Sequence, residues 1–215
     1  MALSTSAPLS SALLASVPSD HPSSLLPSGL ASSSGFCAGA LGALVLRSAP
    51  RGAEVRPLWC AVPTAALWWL SALLVPPRWL PLALLVAWLG VVLSAVDFRH
   101  RRLPDVVTLP AYPLVGLALW WAGADLWRAA AGAALFLGFH LGVRLLAPSA
   151  MGGGDVKLAG PVGAVLASVS WWALPVGAVV ASAVTLAVAA VRRTGGAPHG
   201  PGLLVAAWLA VLSTG

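Results

Sequence analysis

Carboxylates are scarce in this 215-residue sequence: Asp20, Glu54, Asp97, Asp105, Asp125 and Asp155 are all it has. Together with 12 Lys and Arg they make the chain only 8% charged, too little to cover a soluble domain of this length. Cysteine is scarcer still. Cys37 and Cys60 exclude a disulfide framework and a four-thiolate zinc site, and both read as packed residues of apolar runs. Of four histidines, His21, His100 and His199 are too scattered to propose a metal site, and no cofactor is expected. His140, in the middle of an apolar run, reads as a packed or locally hydrogen-bonded residue. No basic stretch precedes an early apolar run, which argues against a cleavable signal peptide.

What is present in abundance is hydrocarbon. Apolar residues make up 59% of the chain and the mean hydropathy is +0.91. They fall in long runs separated by short stretches bearing Arg, Pro or Gly, the pattern of membrane spans joined by short loops. The expected fold is therefore all-α, a polytopic transmembrane helical bundle with about 6–8 spans. Residues 1–33, rich in Ser, Pro and Leu, read as a weakly ordered lead-in, and 34–215 as the transmembrane domain. Spans are expected near 34–46, 59–75, 80–96, 106–123, 127–147, 158–170, 172–191 and 201–214, with 158–191 open to being one broken hairpin or a long tilted helix. Trp59, Trp68, Trp69, Trp79, Trp120, Trp121, Trp171 and Trp172 read as interfacial anchors.

The net charge of +6 is not gathered into a basic face or an aromatic-flanked groove, so nucleic acid is not expected as a partner. The charge sits between the spans. With eight alternating spans and the N-terminus outside, Arg47, Arg51, Arg56, Arg99, Arg101, Arg102, Arg144, Lys157, Arg192 and Arg193 face the cytoplasm, against Arg78 and Arg128 on the other side. That asymmetry is the positive-inside pattern.

Asp97 ends one apolar run and Asp155, in MGGGDVKLAG, opens a later one. Both fall at the same membrane face, where a carboxylate is costly unless it has a partner or a task. Two neighbouring aspartates do not both ionise readily, so one keeps a proton while the other accepts one. Such a pair can activate water and protonate a leaving amide nitrogen, which is peptide hydrolysis without metal or covalent intermediate. Gly152, Gly153 and Gly154 allow close approach and unusual dihedrals, with room for an extended peptide beside the carboxylate. The same residues also fit a proton or cation pathway, or simply a charged loop and a helix cap. This chemistry alone leaves those readings open.

The segment AVDFRHRRLPDVVTLP, residues 95–110, closely resembles the first signature of bacterial prepilin peptidases, the type IV leader peptidases, which are GxGD-type membrane aspartyl proteases. MGGGDVKLAGPVGAVL, residues 151–166, resembles their second signature. GALGALVLRSAPRG at 39–52 looks like the family's N-terminal helix and following loop, and APHGPGLLVAAWLAV at 197–211 like its Pro-x-Gly-Pro entry to a last helix. The resemblance implies that Asp97 and Asp155 are the catalytic aspartates. It implies supporting positions at Asp105, Gly152, Gly154 and Lys157, the last able to favour an ionised carboxylate or orient substrate. Pro104 is expected to end the polar loop and preorganise the next helix.

Implied as substrates are prepilins or pseudopilins with a hydrophobic N-terminal helix, cut at a basic leader on the cytoplasmic face of the bacterial inner membrane. Larger relatives carry paired Cys-x-x-Cys elements and also N-methylate the new terminus. Here only Cys60 stands near that position and the first-helix Asn is missing, with Gly42 and Ala43 in its neighbourhood, so peptidase activity without methyltransferase activity is expected. The alternative is a non-peptidase membrane transporter or a pilus or secretion assembly factor on the same scaffold.

Overall fold

The computed structural model describes residues 25–48, 54–100, 103–149, 151–192 and 198–215, with side chains described from residue 28 onward. Asp20, His21, Arg51, Arg101, Arg102 and Arg193 therefore lie outside the described residues, as does most of the 1–33 lead-in. The described residues are helical, without a strand, and form a polytopic membrane bundle. In chain order the helices are α1 (Leu25–Ser48), α2 (Pro57–Leu74), α3 (Leu80–His100), α4 (Asp105–Thr108), α5 (Ala111–Trp121), α6 (Leu126–Leu146), α7 (Gly153–Val169), α8 (Ala173–Arg192) and α9 (Gly200–Leu212). Five of them, α1, α2, α3, α6 and α8, are long and apolar enough to cross a membrane.

Each expected span has a helix, with shifted ends. Helix α1 begins at Leu25 instead of near 34, because the Ser-rich stretch that looked like a lead-in stays helical, its Ser33 and Ser34 hydroxyls donating to the Leu30 carbonyl. The 106–123 run is broken into α4 and α5: Leu109 and Pro110 keep near-helical dihedrals, but the proline has no N–H to continue the ladder. The 158–191 region is two helices, separated where Ser170 turns extended. Helix α7 starts at Gly153, so Asp155 lies inside its first turn.

Two readings of side chains need correction. Cys60 is buried, but Cys37 is exposed, because α1 packs on its neighbours with one side only. Trp68 and Trp79 are not interfacial anchors: Trp79 is buried, and Trp68 donates its indole N–H to the Leu84 carbonyl at 2.9 Å, tying α2 to α3. Trp88 similarly donates to Ala38 on α1, and Trp208 of α9 to the Ser71 hydroxyl of α2. Where hydrocarbon replaces water, an indole N–H must find an acceptor on a neighbouring helix. Trp59, Trp120, Trp121 and Trp172 do lie exposed near helix ends.

The centre of the bundle is α3, α7 and α9. Helix α7 buries most of its length, with α6 on one side. There Gly132 and Gly163 bring the backbones together, the Gly163 carbonyl standing 2.6 Å from where a Gly132 Cβ would be. Small residues at a membrane helix crossing replace the hydrophobic drive that lipid cannot supply. Helix α9 packs on both α3 and α7 and so lies between the two helices that carry Asp97 and Asp155.

Candidate active site

Asp97 sits in the last turn of α3 and is buried, 5% exposed; Asp155 is third in α7 and 8% exposed. The Gly-rich segment delivers Asp155 as a helix start does. Gly152, the N-cap, is extended (φ −70°, ψ 149°), and Asp155 turns Oδ2 back toward it, where the Gly152 N–H favours the charge. This is the reach of an acidic residue at the third helical position toward its N-cap amide. The three glycines do not adopt unusual dihedrals. Among described residues the only glycine with positive φ is Gly123, remote in sequence from both motifs.

Close approach is what the second motif uses. A Cβ on Gly154 would stand 2.8 Å from Leu103 Cβ, so the loop residue before Pro104 packs directly on the α7 backbone. On Gly153 lies the Arg144 guanidinium, which also donates from Nη1 to the Met151 carbonyl at 3.2 Å. Pro104 is the N-cap of α4, its carbonyl accepting from the Thr108 hydroxyl at 3.0 Å.

The two carboxylates meet at the start of α9. A methyl group on Gly200 would stand 2.9 Å from Asp97 Oδ2 and 3.4 Å from Asp155 Oδ1, so these oxygens can be no further apart than the sum of those distances. That is comparable to the reach of one water making two hydrogen bonds of about 2.8 Å each. The Gly200 backbone thus stands beside both carboxylates. Yet Asp97 Oδ2 and Asp155 Oδ1 themselves are buried with no hydrogen-bond partner among the described residues. Buried polar atoms left free in this way are costly, and they cluster where a reacting molecule is to be bound.

The profile of the type IV leader peptidase family matches residues 83–191, half of the chain and both carboxylates included. The chain belongs to the type IV leader peptidase family. Comparison with curated proteins gives no match, and comparison with solved structures gives none. Gly200 and its helix lie beyond the part of this family member that the profile covers.

The supporting residues fall in two groups. Gly152 and Gly154 belong to the dyad wall, as described. Asp105 and Lys157 form an ion pair with each other at 2.8 Å, with side chains 56% and 48% exposed, and so link the two motif segments beside the dyad. An ion pair this exposed contributes little to stability, about 0–1 kcal/mol before screening. Lys157→Gln and Asp105→Asn should each lower peptidase activity less than about fivefold, and the double variant no more than the stronger single one, if they act as one pair. Initial rates for the four proteins test this, and additive losses would show separate roles.

Several residues at this site gave no warning in the sequence. Pro161 within α7 has no N–H, which leaves the Lys157 carbonyl without its helical donor; the Tyr112 hydroxyl of α5 takes that place at 2.7 Å. Gly160 makes room for it, lying against the phenol. Tyr112→Phe should therefore cost about 1 kcal/mol, and the cost should shrink in a Pro161→Ala background, where a backbone N–H is restored. Thermal unfolding of the four proteins reads the coupling; an unchanged cost would sever the two.

Beneath Gly200, His199 bonds through Nδ1 to the Thr185 hydroxyl at 2.8 Å. That hydroxyl donates its own proton to the Ala181 carbonyl at 2.8 Å, so His199 Nδ1–H is the donor. Burial first, and His140 second, push the His199 imidazole down to about 4, and it stays neutral. His140 is buried, donates to the Phe136 carbonyl at 2.8 Å, and lies with its ring centroid 5.9 Å from that of His199. The PHGP segment at 198–201 is the one sequence signal that pointed here. Among the described residues no three metal-ligating side chains gather.

Proposed function

We propose that the chain is a membrane aspartyl endopeptidase that removes the basic leader of prepilin- or pseudopilin-like proteins, with Asp97 and Asp155 as its acid–base pair. One observation carries the reading. Two buried carboxylates, one from each motif, converge on Gly200 with their facing oxygens unpartnered.

Carboxylates this close share a single proton. The ionised one takes a proton from a water held between them as that water adds to the scissile carbonyl. The protonated one donates to the carbonyl oxygen. In the resulting tetrahedral diol, the proton taken from water passes to the amide nitrogen and the C–N bond breaks as a diol hydroxyl returns its proton to the other carboxylate, so that the leader leaves as a carboxylic acid, the mature protein keeps the amine and the pair again holds one proton. Either aspartate suits either part. Leader cleavage is the expected activity, and methylation of the new terminus is not, since the paired thiolates of larger relatives have no counterpart here.

The substrate's hydrophobic stem would lie in the bilayer beside the helices, and its leader at the membrane face that carries Asp97, Asp155 and most of the arginines. The positive-inside pattern supports the cytoplasmic side for that face, and the family supports a bacterial inner membrane. Co-expression with a panel of prepilins, followed by N-terminal sequencing of the pilin, tests the proposal. A new terminus that depends on this chain is the expected result. Proton-coupled flux in reconstituted vesicles, with every prepilin left uncut, would favour a transporter instead.

A further inference from the structure

At the end of the bundle that carries Asp97, the last turns of α1, α3 and α8 and the start of α2 enclose a pocket of about 1130 Å³. Four arginines stand round it, Arg47, Arg56, Arg99 and Arg192, against one acid, Glu54. The rest of its lining is largely apolar, with Val55, Val188 and Val191 among its members. Arg192 is held in place over the Phe98 ring, 4.8 Å from its centroid, and donates to the Phe98 carbonyl at 3.1 Å. None of the four arginines is ion-paired within the described residues. The sequence between these helices offers no carboxylate besides Glu54, and Asp105 is already engaged by Lys157.

Helix C-termini attract cations, and topology places arginines on this face. Neither effect requires the guanidinium groups to line one cavity, nor that cavity to be otherwise largely apolar. A small inorganic anion would satisfy the arginines and leave the valines uncovered. A phospholipid satisfies both, and α1, α3 and α8, all long enough to cross a membrane, end here at the level where a headgroup lies.

We propose that this pocket binds one anionic phospholipid, its phosphate among Arg47, Arg56, Arg99 and Arg192 and the start of its acyl chains against Val55, Val188 and Val191. Guanidinium forks suit phosphate oxygens, and basic pockets between membrane helices are the places where acidic headgroups settle. The inference stands independently of the peptidase reading.

Native mass spectrometry of the full chain, released from mixed micelles of equal phosphatidylglycerol and phosphatidylcholine, tests it. The intact chain is expected to retain one phosphatidylglycerol in preference to phosphatidylcholine. Arg56→Gln and Arg99→Gln should each lower that preference about fivefold, the equivalent of about 1 kcal/mol per arginine near a headgroup. Arg78→Gln, at the other end of α3, should leave it unchanged. Val188→Trp fills the apolar part of the pocket without altering charge and should abolish retention in a chain that still elutes as folded protein. No preference in the intact chain, an equal loss in the Arg78 variant, or retention by the Val188 variant would overturn the proposal. So would displacement by inorganic phosphate, which would mark a simple oxyanion site.

Discussion

Asp97→Asn and Asp155→Asn, each alone, are expected to reduce leader cleavage by roughly 10³–10⁴-fold, the range that positioned acid–base groups supply. The amide matches the carboxylate in shape, so packing at the buried dyad is kept. What is lost is the ability to exchange a proton with water or substrate. Since the pair acts as one unit, the double variant should be no slower than either single one. Stability should move the other way. Each substitution removes a buried acid that cannot ionise freely beside its neighbour, so the melting temperature should hold or rise, the pattern of a site strained for function. Cleavage of a co-expressed prepilin, with insertion and thermal unfolding measured on the same preparations, reads both effects. Normal cleavage by either well-inserted variant would exclude the dyad, whereas lost cleavage together with a lowered melting temperature would point to a structural role.

Gly200→Ala is expected to slow leader cleavage strongly, because its methyl group would press on the paired carboxylates themselves. The added carbon would stand 2.9 Å from Asp97 Oδ2, so the carboxylate or the start of α9 must move. A displacement of that kind at reacting groups costs on the order of 10²-fold. The loss should appear chiefly in kcat, because the lipid-facing surface along which a substrate stem would lie is untouched. Gly202→Ala is the matching control: its methyl would press on the Ala181 backbone, a packing contact of α9 with α8, and should lower stability more than turnover at the dyad. A Gly200→Ala protein that cleaves at the normal rate would remove Gly200 from the site.

Much of this architecture is legible in the sequence because hydrocarbon thickness fixes span length and the basic gaps mark the ends. Both motif segments are also legible, since Asp97 and Asp155 are acids where acids are costly. The junction between them is not. In α3 apolar residues occupy every face, as they must where lipid and protein partners are equally apolar, so periodicity does not reveal which face meets which helix. The position of α9 between α3 and α7 therefore leaves no trace in pattern. Gly200 is visible only as a member of a PHGP segment, and Leu103 only as an ordinary loop leucine until Gly154 is found beneath it. Trp68 was misread for a related reason: a tryptophan in an apolar run serves as readily for a cross-helix hydrogen bond as for an anchor.

Helix α9 follows both acid-bearing helices in the chain and yet completes the space between them. A growing polypeptide thus exposes Asp97 and then Asp155 to the membrane before the Gly200 amide arrives to join them. On the proposed reading, the site would be completed late in synthesis, as the closing act of insertion. A copy interrupted before Gly200 would carry both acids without the helix that packs between the two that bear them.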